Sequence, residues 1–261
     1  MQIAAWNVNS LTMRMPRLLP WLEATRPDVV CLQETKLEDA RFPATELASA
    51  GYVTHFTGQK TYNGVALLVR EGLPIDDVRF GIPGYADEQK RVVAATVAGI
   101  RVIGVYVPNG QTVGSDKYAY KLGWLAALAQ MLRDELARYP DLAVGGDFNV
   151  APEDRDVHDP AAWEGQVLCS PAERAAFAVL LSTGLVDSFR LFEQPPATFS
   201  WWDYRMLGFP KNRGLRIDHI LLSPSLARRC VASRIDRNAR KGEKPSDHAP
   251  VIVELRDEAT T

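Results

Sequence analysis

The chain has 261 residues, of which 46% are hydrophobic and 24% charged, and its formal net charge is −2 at pH 7. This composition is typical of a soluble globular protein and excludes disordered, collagen-like and coiled-coil chains. The longest uninterrupted apolar run covers seven residues, against the ~20 that a membrane-spanning helix needs, and no secretory signal is visible after Met1. We therefore expect a cytoplasmic protein with no membrane partner.

Short apolar or alternating runs, bounded by turn-forming residues, predict strands along the whole chain. These runs lie at residues 2–7, 29–33, 65–70, 92–97, 101–107, 142–146, 217–222 and 251–255.

Leucines at helical spacing predict helices between these strands. Leu18, Leu19 and Leu22 form a first stripe, and five leucines form a second over residues 122–136. Ser170-Pro171-Ala172-Glu173 is a capping box with proline at the first helical position, so it predicts the start of a further helix.

The alternation of strands and helices continues without a flexible linker. We therefore expect a single α/β domain over residues 1–256, with two sheets covered by helices, and a frayed tail at 257–261. The three cysteines each lie in or beside an apolar run, which predicts reduced structural thiols.

Polar side chains follow several of the predicted strands, at the ends where α/β folds build functional sites. A turn or a helix cap explains any one of them alone, so only the combination indicates a function. Asp218 and the pair Asp247-His248 strengthen it, because a carboxylate partner holds a histidine as imidazolium near neutral pH. The residues at the strand ends are Asn7, Asn9, Glu34, Tyr106, Asp147 and Asn149.

Charge is unevenly distributed along the chain. Residues 201–248 contain eleven Lys or Arg against five Asp or Glu, whereas the rest of the chain contains 19 against 27. This basic region is a candidate for contact with a polyanion. The polar stretch at 149–170 has little periodicity, and long irregular loops in compact domains are usually functional.

Eight motifs, spread over residues 2–255, resemble in order those of the exonuclease III family of abasic-site endonucleases. The Gly-Asp-x-Asn and Ser-Asp-His elements also recur in the wider DNase I-like superfamily, whereas the Leu-Gln-Glu-Thr-Lys, Trp-x-Asp-Tyr-Arg and Gly-Leu-Arg-Ile-Asp segments make the resemblance specific. The motifs are Trp6-Asn7-Val8-Asn9, Leu32-Gln33-Glu34-Thr35-Lys36, Asn63-Gly64-Val65-Ala66, Tyr106-Val107-Pro108-Asn109-Gly110, Gly146-Asp147-Phe148-Asn149, Ser200-Trp201-Trp202-Asp203-Tyr204-Arg205, Arg213-Gly214-Leu215-Arg216-Ile217-Asp218 and Ser246-Asp247-His248-Ala249-Pro250.

The resemblance implies a four-layer α/β sandwich with two packed central sheets flanked by helices. It also implies Mg²⁺-dependent hydrolysis of the phosphodiester 5′ to an abasic site, which leaves a 3′-hydroxyl, with Mn²⁺ as a substitute metal. It further implies activity as a 3′-phosphodiesterase, a 3′-phosphatase and a 3′ to 5′ exonuclease on double-stranded DNA. We expect a monomer that acts on duplexes with abasic sites or blocked 3′ ends.

The same resemblance assigns roles to the strand-end residues. Glu34 would bind the metal with Asn7 and Asp247 beside it, because Mg²⁺ prefers oxygen ligands. Asp147 would orient or deprotonate the attacking water. The remaining groups would donate to the phosphate, namely Asn149, Asn109, Tyr106 and His248 paired with Asp218. Either Tyr106 or a metal-bound water would protonate the leaving group.

DNA contacts follow from the resemblance as well. Trp201 would wall the pocket for a base-free sugar, Leu215 would fill space in the distorted duplex, and Trp202 would belong to the core. The loop at 110–115 carries no arginine where some relatives place one. Contacts with the DNA are expected from Asn9, Lys36, Arg205, Lys211, Arg213 and Arg216, whereas His55, His158 and His219 are expected to be structural or surface residues.

Two other functions remain open on sequence grounds. One is a related phosphodiesterase acting on a phospholipid or inositol phosphate, which the basic region and Trp201 disfavour. The other is a non-catalytic nucleic-acid-binding module, which would require the loss of at least one of Glu34, Asp147, Asn149, Asp218 or His248, and all five are present.

Overall fold

The structure is a computed structural model that describes residues 1–256, so the tail expected at 257–261 lies outside the described residues. The strands are β1 (Gln2–Asn7), β2 (Val29–Gln33), β3 (Tyr52–Thr57), β4 (Val65–Arg70), β5 (Ile75–Phe80), β6 (Val92–Val97), β7 (Ile100–Tyr106), β8 (Leu142–Asp147), β9 (Val186–Asp187), β10 (Trp201–Trp202), β11 (Gly214–Leu215), β12 (Asp218–Leu222), β13 (Cys230–Ile235) and β14 (Val251–Leu255). The α-helices are α1 (Leu11–Thr25), α2 (Ala44–Ser49), α3 (Asp116–Arg138), α4 (Pro160–Trp163), α5 (Pro171–Ser182) and α6 (Pro224–Arg229). Short 3₁₀ helices cover Asp39–Arg41, Asp154–Asp156, Ser188–Leu191, Arg205–Leu207 and Arg237–Arg240.

Two six-stranded sheets form the centre of the fold, in the orders β13-β14-β1-β2-β4-β3 and β5-β6-β7-β8-β12-β9. In each sheet a central parallel pair, β1 with β2 and β7 with β8, has antiparallel neighbours on both sides. Strands β10 and β11 form a separate two-stranded ribbon. The central parallel pairs bring the carboxyl ends of four strands toward one edge of the fold.

Alternation along the strands explains why the sheets stack. Ile3 and Ala5 of β1 lie in the core between the sheets, where they meet Val102 and Ala143 of the second sheet. Their neighbours on the opposite face of β1 pack against α1, while the outer face of the second sheet packs against α3 and α5. The result is the expected four-layer α/β sandwich.

All eight predicted strands are present, with bounds that differ by at most one residue at either end. The four strands at the sheet edges, β3, β5, β9 and β13, were not predicted. Among residues 1–256, no helix is both long and apolar enough to cross a membrane.

Two local predictions are also confirmed. The capping box opens α5, where Ser170 accepts from the Glu173 amide and the Glu173 carboxylate accepts from the Ser170 amide at 3.1 Å. All three cysteines are free thiols.

Candidate active site

The ends of β1, β2 and β8 bring polar groups from both sheets into contact. The side-chain amide of Asn7 donates to Oε1 of Glu34 at 2.8 Å and to Oδ2 of Asp147 at 2.9 Å. Asn7 is fully buried, and its own Oδ1 accepts from the backbone amide of Asn9 at 3.0 Å. Asn7 therefore fixes the orientation of two carboxylates that belong to different sheets.

The backbone around these carboxylates has an unusual conformation. Glu34 and Asn149 both lie in the left-handed region, at φ values of 52° and 50°. Gly146 precedes Asp147, and a Cβ at that position would lie 1.9 Å from the carbonyl oxygen of Val105, so only glycine fits. Non-glycine residues in the left-handed region cost about 1 to 2 kcal/mol each, and such strain is concentrated at functional sites.

Asp147 is buried, and burial disfavours its charged form. Burial raises the pKa of Asp147 above its ordinary value, although the nearby His248 and hydrogen bonds from Asn7 and the Asn149 backbone oppose the shift. Asp147 is therefore a stronger proton acceptor than an exposed aspartate, as a general base requires.

His248 and Asp218 form the pair predicted from the sequence. Nδ1 of His248 lies 2.9 Å from Oδ2 of Asp218, and the hydroxyl of Ser200 donates to the same oxygen at 2.6 Å. Burial lowers the pKa of His248, but the carboxylates of Asp218 and Asp147 outweigh burial, so the pKa lies well above its ordinary value. The ring is held as imidazolium, with Nε2 3.8 Å from Oδ2 of Asp147.

Neutral hydrogen-bond donors line the same space. Asn109 donates through Nδ2 to Oδ1 of Asn149 at 3.1 Å, and Asn149 donates to the carbonyl of Val107 at 2.9 Å. Burial, with the charges of Glu34 and Asp147, raises the pKa of Tyr106 well above its ordinary value. Its phenol therefore keeps its proton at neutral pH.

One group of possible metal ligands occurs in residues 1–256. Glu34, Asp147 and His248 each offer an atom within 4.8 Å of the others. The protonated His248 has no free lone pair for a metal, which leaves two carboxylates, the oxygen donors that suit Mg²⁺. Oε2 of Glu34 forms a salt bridge with the Lys36 ammonium at 2.8 Å.

The charge state of Glu34 also suits a metal. Burial raises the pKa of Glu34, but the Lys36 ammonium and the hydrogen bond from Asn7 outweigh it, so the pKa lies below its ordinary value. A carboxylate that stays ionised under partial burial is a good ligand for a hard cation.

Asp247, predicted as a metal neighbour, lies outside this group. Its Oδ1 accepts from Nδ2 of Asn9 at 2.9 Å and its Oδ2 from Nε1 of Trp201 at 3.0 Å. Lys36 donates to Oδ1 of Asn9 at 2.5 Å, which connects Asp247 to Glu34 through two side chains. In this structure Asp247 positions Asn9 and Trp201.

Two of the residues predicted to contact DNA, Arg216 and Leu215, are buried in this structure. Arg216 is 1% exposed, with Nε 2.6 Å from Oδ1 of Asp156 and Nη2 2.8 Å from Oδ2 of Asp187. Leu215 has no exposed surface, because it packs inside a small apolar cluster with Val157. In this structure neither side chain offers surface to a phosphate or a duplex.

The remaining predicted contacts lie at the surface. Arg205, Lys211, Arg213 and Asn109 are exposed, and Trp201 is half-buried. Arg205 forms an exposed ion pair with Asp203 at 2.7 Å, which costs little to exchange for a phosphate because exposed pairs contribute little.

The tryptophan and histidine assignments agree with the structure. Trp202 is fully buried, as expected of a core residue. His219 is buried, and burial with the Arg216 charge lowers its pKa to about 4. His55 and His158 are half-buried, and Nδ1 of His158 lies 3.2 Å from the carbonyl of Gly214.

The sequence patterns did not single out the exposed apolar residues of the basic region. Met206 is 77% exposed and Leu207 61%, and both have a φ of 56°. The preceding Tyr204 is anchored, because its hydroxyl donates to the carbonyl of Pro245 at 2.8 Å and accepts from Arg14 at 2.7 Å. In the sequence, the signal for these exposed residues was the presence of apolar side chains between the basic residues Arg205 and Lys211.

Comparison with known proteins agrees with this geometry. The sequence matches the endonuclease/exonuclease/phosphatase family over residues 4–248. The exodeoxyribonuclease III of Haemophilus influenzae is 38% identical over 270 positions, which cover 98% of this chain and 100% of that protein. A solved 3′ phosphatase from Neisseria, bound to a product DNA hairpin, is 45% identical with a TM-score of 0.95, covering 98% of this chain and 100% of that one. An AP endonuclease structure from Archaeoglobus fulgidus is 37% identical with a TM-score of 0.93 and the same coverage.

Proposed function

The chain belongs to the endonuclease/exonuclease/phosphatase family, and we propose that it hydrolyses, with Mg²⁺, the phosphodiester on the 5′ side of an abasic site in double-stranded DNA. In class it is a hydrolytic nuclease of DNA repair, like its exodeoxyribonuclease III and AP endonuclease relatives. Two solved Neisseria structures, a 3′ phosphatase and a 3′–5′ exonuclease, support the same secondary activities here on blocked 3′ ends.

The observation that carries the proposal is the close approach of His248, whose pKa the Asp218 and Asp147 carboxylates raise, to the buried carboxylate of Asp147. Nε2 of His248 and Oδ2 of Asp147 are 3.8 Å apart. His248 is also hydrogen-bonded to Asp218, and Asp147 accepts a hydrogen bond from Asn7. A proton acceptor and a proton donor on the same reacting phosphate are what hydrolysis of a phosphodiester requires.

Asp147 takes a proton from the water that attacks phosphorus. The new bond forms between water oxygen and phosphorus, the bond from phosphorus to O3′ breaks, and O3′ leaves as a hydroxyl after it takes a proton from the Tyr106 phenol or from a water. His248, Asn149 and Asn109 donate hydrogen bonds to the phosphate oxygens, on which negative charge increases.

Glu34 and Asp147 would hold the metal ion. When bound, Mg²⁺ shields the phosphate charge and acts as a Lewis acid. Asn7 keeps both carboxylates oriented toward the same position through its two hydrogen bonds. Mn²⁺, which accepts the same oxygen ligands, would substitute.

Substrate choice would come from the surface next to these groups. Trp201 is half-buried and anchored to Asp247, so its ring is fixed in position to wall a pocket for a base-free sugar. Lys211 and Arg213 supply positive charge for DNA phosphates. Exposed apolar side chains at Met206 and Leu207 would enter the gap that a missing base leaves. A phospholipid or inositol phosphate has no missing base for Trp201, Met206 and Leu207 to occupy, so these apolar side chains favour DNA. All of these residues come from one chain, so we propose a monomer.

The test is denaturing electrophoresis of an end-labelled duplex that carries one abasic analogue. With Mg²⁺ we expect one product cut 5′ to the analogue, no cut with EDTA, and no cut by the Asp147→Asn variant. Parallel reactions use an undamaged duplex, a 3′-phosphate duplex and a phosphoinositide. Faster release of phosphate from the phosphoinositide than cutting of the abasic duplex would contradict the proposal.

A further inference from the structure

Lys121 of α3 is a buried charged residue without a role in the chemistry described above. It has no exposed surface, and its ammonium pairs with Glu173 of α5, which is equally buried. Burying two charges costs several kcal/mol per ion, and a buried ion pair is often replaced by apolar residues without loss of stability. The pair therefore calls for an explanation other than stability.

The ammonium of Lys121 also contacts the backbone of two segments of the site. Nζ donates to the carbonyl of Asn149 at 2.6 Å and to the carbonyl of Asn109 at 3.1 Å. With the bond to Glu173, these two bonds use all three donors of the ammonium. One cation thus fixes the segment after β7 and the segment after β8 relative to each other.

The bond to Asn149 holds a residue in an unfavourable conformation. The backbone amide of Asn149 donates to Oδ1 of Asp147 at 2.9 Å, and Lys121 holds its carbonyl, so the left-handed residue is restrained from both sides. Because Asn109 donates to Oδ1 of Asn149, a shift of either carbonyl would also displace the side-chain amide of the other asparagine.

We propose that Lys121, held by Glu173, is a positioning residue for Asn109 and Asn149. Glu173 is itself fixed, since its carboxylate accepts from the backbone amides of Leu168 at 3.0 Å and Ser170 at 3.1 Å. Lys121 thereby ties α3, α5 and both site segments into one rigid unit. The inference rests on the proposed function of the two asparagines.

The chain offers a matched control for the test. Arg101 of β7 and Glu135 of α3 form another buried pair, with Nε and Oε2 2.5 Å apart. Glu135 lies fourteen positions after Lys121 in the same helix, about 21 Å further along its axis at 1.5 Å per residue. The two pairs share the helix and the burial but differ in their distance from the site.

The test compares two double variants, Lys121→Met/Glu173→Gln and Arg101→Met/Glu135→Gln, each of which removes both charges. We expect the first to lose at least about tenfold in kcat on the abasic duplex, as misplaced groups cost large factors in rate, with KM within about twofold. The control keeps the parental kcat at an equal loss of melting temperature. Equal losses of kcat in both variants, or parental kcat in the first, would overturn the proposal.

A spectroscopic readout separates this inference from the proposed function. In protein labelled with ¹⁵N-asparagine, the side-chain amide signals of Asn109 and Asn149 should shift in the first double variant and stay in place in the control. Unshifted signals in a folded first variant would refute the positioning role. Shifted signals, in a protein whose parent fails to cut the abasic duplex, would retain the positioning role and reject the proposed function.

Discussion

Two regions of the site differ in how their residues are held. We call Asn7, Glu34, Asp147, Asn149, Asp218 and His248 the catalytic floor and residues 201–213 the substrate rim. Floor residues are buried or half-buried, and each is hydrogen-bonded to another side chain of the floor. Many side chains of the rim are exposed, including the large apolar ones of Tyr204, Met206 and Leu207.

This difference separates the chemistry from the choice of substrate. Preorganised groups cost no reorganisation when charge develops, so the floor can act on any phosphodiester that reaches it. Under the proposed function, the exposed side chains of the rim would gain contacts only when DNA binds, so the rim would discriminate between DNA geometries. Substitutions in the floor should therefore lower all activities together, and substitutions in the rim should lower them unequally.

The largest expected effect is in the floor, at the charge of Glu34. Glu34→Gln keeps the size of the side chain but removes the charge that a hard cation requires, so activity at low millimolar Mg²⁺ should fall at least ~100-fold and recover in part at higher metal. Titration of Mg²⁺ against the cutting rate measures this. An apparent metal affinity equal to that of the parent would show that Glu34 is not a ligand.

The next effect tests whether the charge of Asp218 maintains the imidazolium. Asp218→Ala removes the carboxylate that raises the pKa of His248, so that pKa falls and the proton is lost at lower pH. The alkaline limb of the rate profile should move to lower pH, and the rate near neutral pH should drop by up to about 100-fold.

Asp218→Asn is the matched variant, because it keeps the shape and removes only the charge. Its alkaline limb should move in the same direction as that of Asp218→Ala. If either variant folds normally, as judged by circular dichroism, and keeps the parental pH profile, the two residues act independently.

Burial explains which parts of the fold were predictable from sequence. The central strands are buried on both faces and read as apolar runs, whereas edge strand β5 reads Ile-Asp-Asp-Val-Arg-Phe, with both aspartates exposed. Strands β9, β10 and β11 have two residues each, too short for any periodicity. The family resemblance and the four-layer sandwich are nevertheless confirmed, because most of the motifs lie on or directly after central strands; only the segments on β10 and β11 belong to the separate ribbon.

The burial of two residues predicted to contact DNA has a different cause. Arg216 stands in a basic region, and nothing local distinguishes it from an exposed arginine, because its partners Asp156 and Asp187 lie 60 and 29 residues away in sequence. Leu215 is covered by Val157 from the long loop, a contact that also requires the folded chain. Contacts between distant segments determine which motif residues reach the surface.

The third prediction compares two neighbouring tryptophans, Trp201 next to the site and Trp202 in the core. Trp201→Ala should lower abasic-site cutting about 5- to 150-fold, the typical range for loss of a stacked aromatic, with less effect on a small unspecific phosphodiester. Trp202→Ala, the matched control in the core, should lower stability by about 3 to 5 kcal/mol and reduce both activities together. The measurement is the rate on each substrate together with the melting temperature of each variant. If Trp201→Ala lowers both rates equally and also lowers the melting temperature, Trp201 belongs to the core instead.

The smallest effect is expected where the rim is most exposed. Met206→Ser and Leu207→Ser remove apolar surface that DNA would cover. At about 25 cal/mol per Å², partial burial of one such side chain contributes roughly 1 kcal/mol to binding, which corresponds to about fivefold in affinity. The expected change is therefore a rise in KM for the abasic duplex of roughly that size, while kcat and KM for an undamaged end stay constant.

Val53→Ser and Val231→Ser are the matched controls for this measurement. Both valines are exposed apolar residues like Met206 and Leu207, but they lie on the sheet-edge strands β3 and β13. An equal rise in KM for these controls would attribute the effect to general loss of apolar surface. A rise confined to Met206→Ser and Leu207→Ser, without a change in melting temperature, would mean that these side chains contact the damaged DNA, because the catalytic floor is unchanged in every one of these variants.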